Sequence, residues 1–533
     1  MKLYNISLAV LLGIGTLTSC ESKLDVTNPN QQTAATFGYS AEDLEENVIA
    51  AYNHIRMEGT YARVGFMLDV CRGDEVWNSS QVWYMPFDDL NVPFTDEIGQ
   101  WSWRDWYYTI NVTNFTLSRL KEDNSILTEQ QKRIKGQMLF LRGLAYYNLA
   151  GYYQNPILIT DYATYSTLDG LYGTNSTYDE VWDQVEQDFA EAMTLLPSRN
   201  EGGEWAKGRA TCGAAYENND ESLFEIQYLD YGSQGTDDEW TPVNTSPNAT
   251  QGHAIESNFG PGDFGGWADL SASNWLYDLF KKERTTSGSL DPRLYWTIGT
   301  YENEWEGFEY GNVCYGTPMT ADAPVTTNNN NGGLPVAKNT NFRTGIYDKV
   351  VTGLHCGINL RMMRYSDVLL RAAECENEVN GPTQQAIDWI NQVRERAGLA
   401  DLKLADFNSA DKLFEQIANV ERPKEFGCEF GRGFDLIRWG FFYDAGRLLQ
   451  LKEHGTFRRT NDKSRVKESV SYSEVGVDAE LKCSYDSWIQ GHEFFPIYQG
   501  TLNDNPNLEG NSANSSTSNA DKLYGPVHPV VGL

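Results

Sequence analysis

From Ser40 onward, apolar residues recur along the chain at steps of three and four, the period of one face of an α-helix. Ser40 stands in the cap position before Leu44, Val48, Ala51 or Tyr52, and Ile55. Thr128 and Gln131 make a capping-box pair ahead of Ile134, Met138, Leu141, Ala145 and Leu149. Thr177 and Glu180 repeat that device ahead of Val181, Val185, Phe189, Ala192 and Leu196. Between Gln100 and Tyr108 the tryptophans fall at helical spacing, which assigns Trp101, Trp103 and Trp106 mainly to core packing. Met362, Tyr365, Leu369 and Ala372 form another stripe, followed after Gly381-Pro382 by Ala386, Ile390, Val393 and Ala397. Residues 411–420 and 434–451 are further predicted helices.

Helix pairs joined by short turns, with alanine at close-packing positions, resemble degenerate tetratricopeptide (TPR) repeats, although no clean period is readable. The predicted fold is mostly α: TPR-like helix pairs form a scaffold over about 40–200 and 360–455, with long irregular loops and a few short strands. Residues 230–350 are rich in Gly, Asn, Thr, Pro and aromatics, and loops of that length in a compact domain usually carry function. The two loop regions are about 66–100 and 225–350, and the run 326–333 (TTNNNNGG) is an expected mobile tip.

The first residues change the picture. Lys2, then Ile6 and Leu8 to Leu12, then small residues to Ser19, have the layout of a secretory signal, too short and too glycine-broken for a permanent membrane span. Leu17-Thr18-Ser19-Cys20 resembles the lipobox of bacterial lipoproteins, which implies cleavage before Cys20 and acylation of that cysteine. An ordinary cleaved signal with a coincidental cysteine is the other reading. The expected organisation is a signal peptide at 1–19, a lipidated terminus and spacer at 20–39, and a single domain at 40–533.

The formal net charge of −32 disfavours nucleic acid and anionic surfaces, because phosphate contacts need clustered Lys and Arg. Mean hydropathy is −0.51, and no second apolar run is long enough to span a bilayer. Beyond Cys20, seven cysteines lie far apart, so neither a disulfide framework nor a zinc site is indicated. Gly260-Pro261-Gly262-Asp263-Phe264-Gly265 matches a dinucleotide pattern by letter but contains a proline and reads as a turn cluster. The six histidines are scattered, and no HExxH, GxSxG or Walker motif occurs. Acid pairs such as Asp88-Asp89 and Asp237-Asp238 suit a glycosidase on paper, yet 74 acidic residues make such pairs by chance. No catalytic residue, cofactor or metal is assigned.

Aromatic residues make up 13% of the chain, which suits either a large core or surfaces that stack flat ligands. Trp77, Trp83, Tyr84 and Phe87 lie in an aperiodic stretch with Asn78, Ser79, Ser80 and Pro86. Trp240, Trp267, Trp275, Tyr301, Trp305, Phe308, Tyr310 and Tyr315 form a second aromatic region. Rings in such loops either stack on sugar faces beside polar groups that read hydroxyls, or seal the loop against the core. Residues 421–440 alternate charge and aromatics; Glu421, Arg422, Glu425, Glu429, Arg432, Asp435 and Arg438 are expected to form an architectural network of paired charges between helices.

Taken in order, the lipobox with Leu24-Asp25-Val26, AYNHIR (51–56), RGLAYYNLAGYYQNPILIT (142–160), YDEVWDQVEQDFAEAMTLLP (178–197), LRMMRYSDVLLRAAECENE, AIDWINQVRERAG, the 421–440 segment, FFPI and NPNL resemble the SusD/RagB family of outer-membrane lipoproteins. The resemblance implies a helical scaffold carrying irregular binding loops. It also implies a cell-surface, lipid-anchored place on the outer membrane, where such a protein caps a SusC-like TonB-dependent transporter and binds an oligosaccharide or polysaccharide, sometimes a peptide, without catalysis. Regions rather than a fixed motif carry over. On that basis Trp77, Trp83, Tyr84, Trp267, Trp305 and Tyr310 are the candidates for stacking, and Arg72 and Asp74 for hydroxyls. The stretch 208–224 departs from the family in lacking a helix pair, Tyr498 stands where proline is common, and Glu509 where glutamine is common. A helical glycoside hydrolase and a purely structural TPR adaptor are the competing readings.

Overall fold

A computed structural model describes residues 40–78, 81–120, 123–196, 219, 221–229, 252–321, 325, 333–459, 479–483 and 485–514. Cys20 and its lipobox, residues 208–218, Trp240, the pair Asp237-Asp238 and residues 326–332 lie outside the described residues.

Among the described residues, the helices of nine or more residues in the N-terminal half of the scaffold are α1 (Ala41–His54), α2 (Val64–Arg72), α3 (Glu97–Arg119), α4 (Glu129–Tyr153) and α5 (Tyr178–Leu195). Their starts are where the capping residues place them. Ser40 Oγ accepts from the Asp43 backbone N–H at 3.0 Å, Thr128 Oγ1 from Gln131 at 3.2 Å, and Thr177 Oγ1 from Glu180 at 3.3 Å. In each case the third residue's side chain accepts in return from the cap's own N–H. Each such cap is worth about 1 kcal/mol. Antiparallel packing of α4 against α3 and α5 buries Ile134, Met138, Leu141, Ala145 and Leu149, the predicted stripe, together with Val181 and Val185.

Later described helices of seven or more residues are α6 (Asn274–Lys281), α7 (Tyr365–Asn380), α8 (Gln384–Arg396), α9 (Ala410–Gln416), α10 (Arg432–Arg438) and α11 (Ala445–His454). The α7–α8 hairpin turns at Gly381, whose positive φ of +74° glycine adopts without strain. It buries Leu369, Ala373, Ala386 and Ile390 in a satellite core of its own. The pairing of helices and the scarcity of strands agree with the mostly α expectation.

Strands are short and paired in twos: β1 (Val76–Asn78) with β3 (Leu270–Ala272), β2 (Ser222–Ile226) with β6 (Leu360–Arg364), β4 (Val313–Cys314) with β5 (Thr317–Pro318), and β7 (Thr456–Arg459) with β8 (Ala479–Cys483), all antiparallel.

Three expectations need correction. Met362 belongs to β6 rather than to the helical stripe, and the helix begins at Tyr365, because the 360–364 segment pairs with β2. The predicted helix 434–451 is two helices, broken at Gly440 with φ +66°. The loop expected from residue 66 begins only at Gly73, since α2 runs to Arg72 and is buried along its whole length.

The charged segment 421–440 is a buried lattice of ion pairs. Arg364 bonds Glu221 at 2.9 Å, Glu425 at 2.7 Å and Glu429 at 2.8 Å, tying β6 to the chain just before β2 and to the 421–429 turn. Arg422 bonds Asp367 and Asp435, Arg438 bonds Asp435 and Glu374, and Glu421 accepts from Arg394. Buried charges require such partners, because an unpaired one costs several kcal/mol, on the order of 3–5.

Candidate functional site

The aromatic loops meet along the β1–β3 ladder. In β1 the alternation of a strand sends Val76 and Asn78 inward and leaves Trp77 half-buried on the opposite face. Trp77 stands directly across from Ser271, a small residue that leaves room for the indole. The Asn78 side chain then closes the following turn, donating to Gln81 O at 2.7 Å and accepting from Gln81 N–H at 2.9 Å. Beyond that turn Trp83 is 37% exposed.

On the partner side, Trp267 lies three residues before β3 and is half-buried. Its backbone N–H donates to Ser257 O at 2.8 Å, and the Arg63 guanidinium lies 5.8 Å from its ring centroid. Arg63 in turn pairs with Glu58 across the turn before α2. The ladder is extended and held at its Val76–Ala272 end, where Ser273 N–H donates to Glu75 O at 2.8 Å and Ala272 N–H to Leu334 O at 2.9 Å. Pairing thus joins segments almost 200 residues apart and leaves the Trp77 and Trp267 indoles half-open, faces of the kind that can stack on a flat apolar ligand surface.

Four candidates are placed elsewhere than expected. Arg72 is 1% exposed, not a reader of hydroxyls at the surface. It donates to the carbonyls of Gly151 and Glu493 at 3.1 and 3.0 Å, and its guanidinium carbon lies 4.6 Å from the Phe495 centroid. Asp74 is fully paired inside the protein, with Arg432 at 2.6 and 2.9 Å and His454 at 2.8 Å. Burial alone would raise its pKa, but the adjacent guanidinium and imidazole hold the carboxyl well below the ordinary carboxylate range. Tyr84 is buried, and that burial pushes its phenol far above the usual value. Trp305 has no exposed surface; it packs edge-on against Tyr295 and Phe308, with centroids 5.4 and 4.7 Å away. All four side chains are buried inside the scaffold rather than displayed at the surface, where the expectation placed them.

Tyr310 is half-buried and packs edge-on against Trp296 at 6.1 Å, in the 295–310 cluster rather than on the β1–β3 ladder. Arg63 is absent from the sequence candidates, and its position immediately before α2 carries no sequence signal for a ring 204 positions away. The Gly260–Gly265 run is a turn, with Gly265 at φ +87° closing a short 3₁₀ segment. Among the described residues, no helix is long and apolar enough to cross a membrane.

Residues 220–513 match the family described as "SusD family", and residues 23–218 match one described as "Starch-binding associating with outer membrane". The chain is 24% identical over 512 residues to SusD-like protein P25 of Formosa agariphila, covering 85% of this chain and 93% of that protein. It is also 24% identical over 520 residues to SusD-like protein P38 of the same organism, covering 88% and 100%. A SusD superfamily protein from Bacteroides vulgatus shares the fold with a TM-score of 0.64 at 22% identity, over 89% of this chain and 99% of that one. A laminarin-binding SusD-like protein superposes with a TM-score of 0.57 at 18% identity, over 88% and 98%. With fold and sequence both matching along most of its length, the chain belongs to the SusD family.

Proposed function

We propose that this protein is a cell-surface lipoprotein, anchored through Cys20 to the outer membrane, that captures an oligosaccharide or polysaccharide on the β1–β3 ladder and delivers it to a SusC-like TonB-dependent transporter. The observation that carries the reading is the β1–β3 pairing, in which Trp77 is half-buried opposite Ser271, with Trp83 exposed six residues further on and Trp267 half-buried three residues before β3. In this reading Trp77, Trp83 and Trp267 supply stacking surfaces, with the Arg63 guanidinium 5.8 Å from the Trp267 ring centroid. The strongly negative chain favours a neutral glycan over an acidic one. Family membership and the laminarin-binding neighbour support the same ligand class. The protein holds its ligand without cleaving it.

Affinity gel electrophoresis against a panel of polysaccharides, including laminarin and starch, tests the reading. Retention that falls on substitution of Trp83 or Trp267, with no release of reducing ends, is the expected result. Reducing ends released by the purified protein would replace it with the hydrolase reading. Co-purification with a TonB-dependent barrel encoded beside it tests delivery.

A further inference from the structure

The solvent-facing side of α3 carries a second aromatic cleft. Gln100, Arg104, Tyr107, Tyr108 and Asn111 recur along one face of this 23-residue helix, and Trp103 closes the bottom. Tyr165, from the turn after α4, and Thr501, from the short helix Gln499–Asp504, form the opposite wall. The cavity measures about 350 Å³, inside the range of about 300–1,000 Å³ typical of small-ligand sites.

Its rings are held in place before any ligand arrives. The Tyr107 hydroxyl donates to Ile157 O at 2.8 Å and accepts from Ile157 N–H at 2.7 Å, which fixes the ring. Trp103 packs against Tyr107 at 5.0 Å and edge-on against Tyr153 at 5.1 Å. Tyr108 is 38% exposed. The polar groups are the reverse of pre-committed. Gln100, Asn111 and Thr501 enter no side-chain hydrogen bond among the described residues. One turn further along, Asn114 spends its amide on Ile159 O and Arg142. The cleft therefore offers amide and hydroxyl groups at its ends with fixed rings between them. Gln100 and Asn111 stand about 16 Å apart along the helix axis, from a rise of about 1.5 Å per residue.

We infer that this cleft is a second saccharide-binding site, taking a short linear stretch of a neutral glycan along α3. The inference rests on the proposed glycan-binding function but concerns a different surface. Its lining shares no residue with the β1–β3 site. Rings and neutral amides match a polyol, whereas an anion would find only Arg104, whose guanidinium already bonds Asp105 at 2.8 Å. Two sites on one scaffold raise retention of a long polymer by avidity without any new contact at the first site.

Affinity gel electrophoresis of the full mature protein in laminarin, soluble starch and other neutral polysaccharides tests this, with Trp83→Ala/Trp267→Ala, Tyr108→Ala/Asn111→Ala and the quadruple variant. Circular dichroism checks that each is folded, and Tyr108 and Asn111 are open enough for removal to leave the core intact. The cleft pair alone is expected to weaken retention of the long polymer about five- to tenfold. The loop pair is expected to keep a weak retention that the quadruple variant loses. Retention unchanged by the cleft pair in both backgrounds, or abolished by the loop pair alone, overturns the cleft and leaves the loop site standing. Wild-type protein retained by no polysaccharide overturns the functional reading as well. A cleft pair that loses a co-purifying barrel protein, with polysaccharide retention intact, assigns the surface to a protein partner and overturns the inference.

Discussion

Arg432 clasps Asp74 through two hydrogen bonds, Nε to Oδ1 at 2.6 Å and Nη2 to Oδ2 at 2.9 Å, across 358 positions of sequence. Both side chains are buried, and Arg432 also donates to Ala418 O at 2.8 Å. The pair locks the last residues before β1, and with them the aromatic loop, to the C-terminal helices.

Removing one partner leaves the other as a buried charge. Asp74→Ala is expected to destabilise the protein by about 3–5 kcal/mol, read as a lowered urea midpoint, while glycan retention per folded molecule stays at the wild-type level. A selective loss of retention at unchanged stability would return Asp74 to the binding site.

Trp305 and Trp83 separate the two readings of the loop aromatics. Trp305→Ala empties a fully buried position and is expected to cost about 3–5 kcal/mol. Trp83→Ala removes a ring that is 37% exposed, and should change stability by no more than about 0.5 kcal/mol. Its effect is expected on retention in polysaccharide gels, about tenfold, equal to about 1.4 kcal/mol.

His253 is buried in its neutral form. Nε2–H donates to Ile358 O at 2.8 Å, and Nδ1 accepts from the Ile255 N–H at 3.1 Å, so an added proton at Nδ1 would face a donor. Its neighbours are the Tyr228 ring at 4.9 Å and the backbone of Cys356. Burial lowers its pKa from 6.5 to about 4. The unfolded chain takes up the proton first as pH falls. Stability is therefore fully present above about pH 6.5, declines by about 3 kcal/mol as pH falls towards 4, and is level below. Urea midpoints across this window, wild type against His253→Gln, are expected to differ in slope, the variant being flatter.

Gly151 lets α4 approach α10. A Cβ there would stand 2.1 Å from the Phe434 ring, which is itself fixed against Tyr147 and Tyr152. Gly151→Ala is expected to lower stability by about 1–3 kcal/mol through overpacking, seen as a fall in melting temperature. An unchanged melting temperature would mean that Phe434 has room to move.

Local signals in the sequence located much of this scaffold. Ser40, Thr128 and Thr177 announced three helix starts, because a cap and its partner sit within three residues of each other. The stripes of α4, α5 and α8 were likewise legible, since one helical face repeats every 3.6 residues. Family resemblance came from short fragments whose order along the chain is itself local information. The 421–440 segment showed by composition that its charges needed partners, but only partners near in sequence, such as Asp435 for Arg438, stood in plain view.

Tertiary structure alone decided which aromatic rings stay open and which are core. Trp83 and Trp305 are alike as letters, each among polar loop residues, and what separates them is whether another segment folds over the ring. The same holds for Arg72 and Asp74, whose partners Glu493 and Arg432 lie more than 350 residues away. It holds also for the α3 cleft, whose walls come from three distant stretches of chain. Periodicity and capping depend on neighbours a few positions apart and survive in one dimension; burial depends on contacts between remote segments, and the chain must fold before they exist.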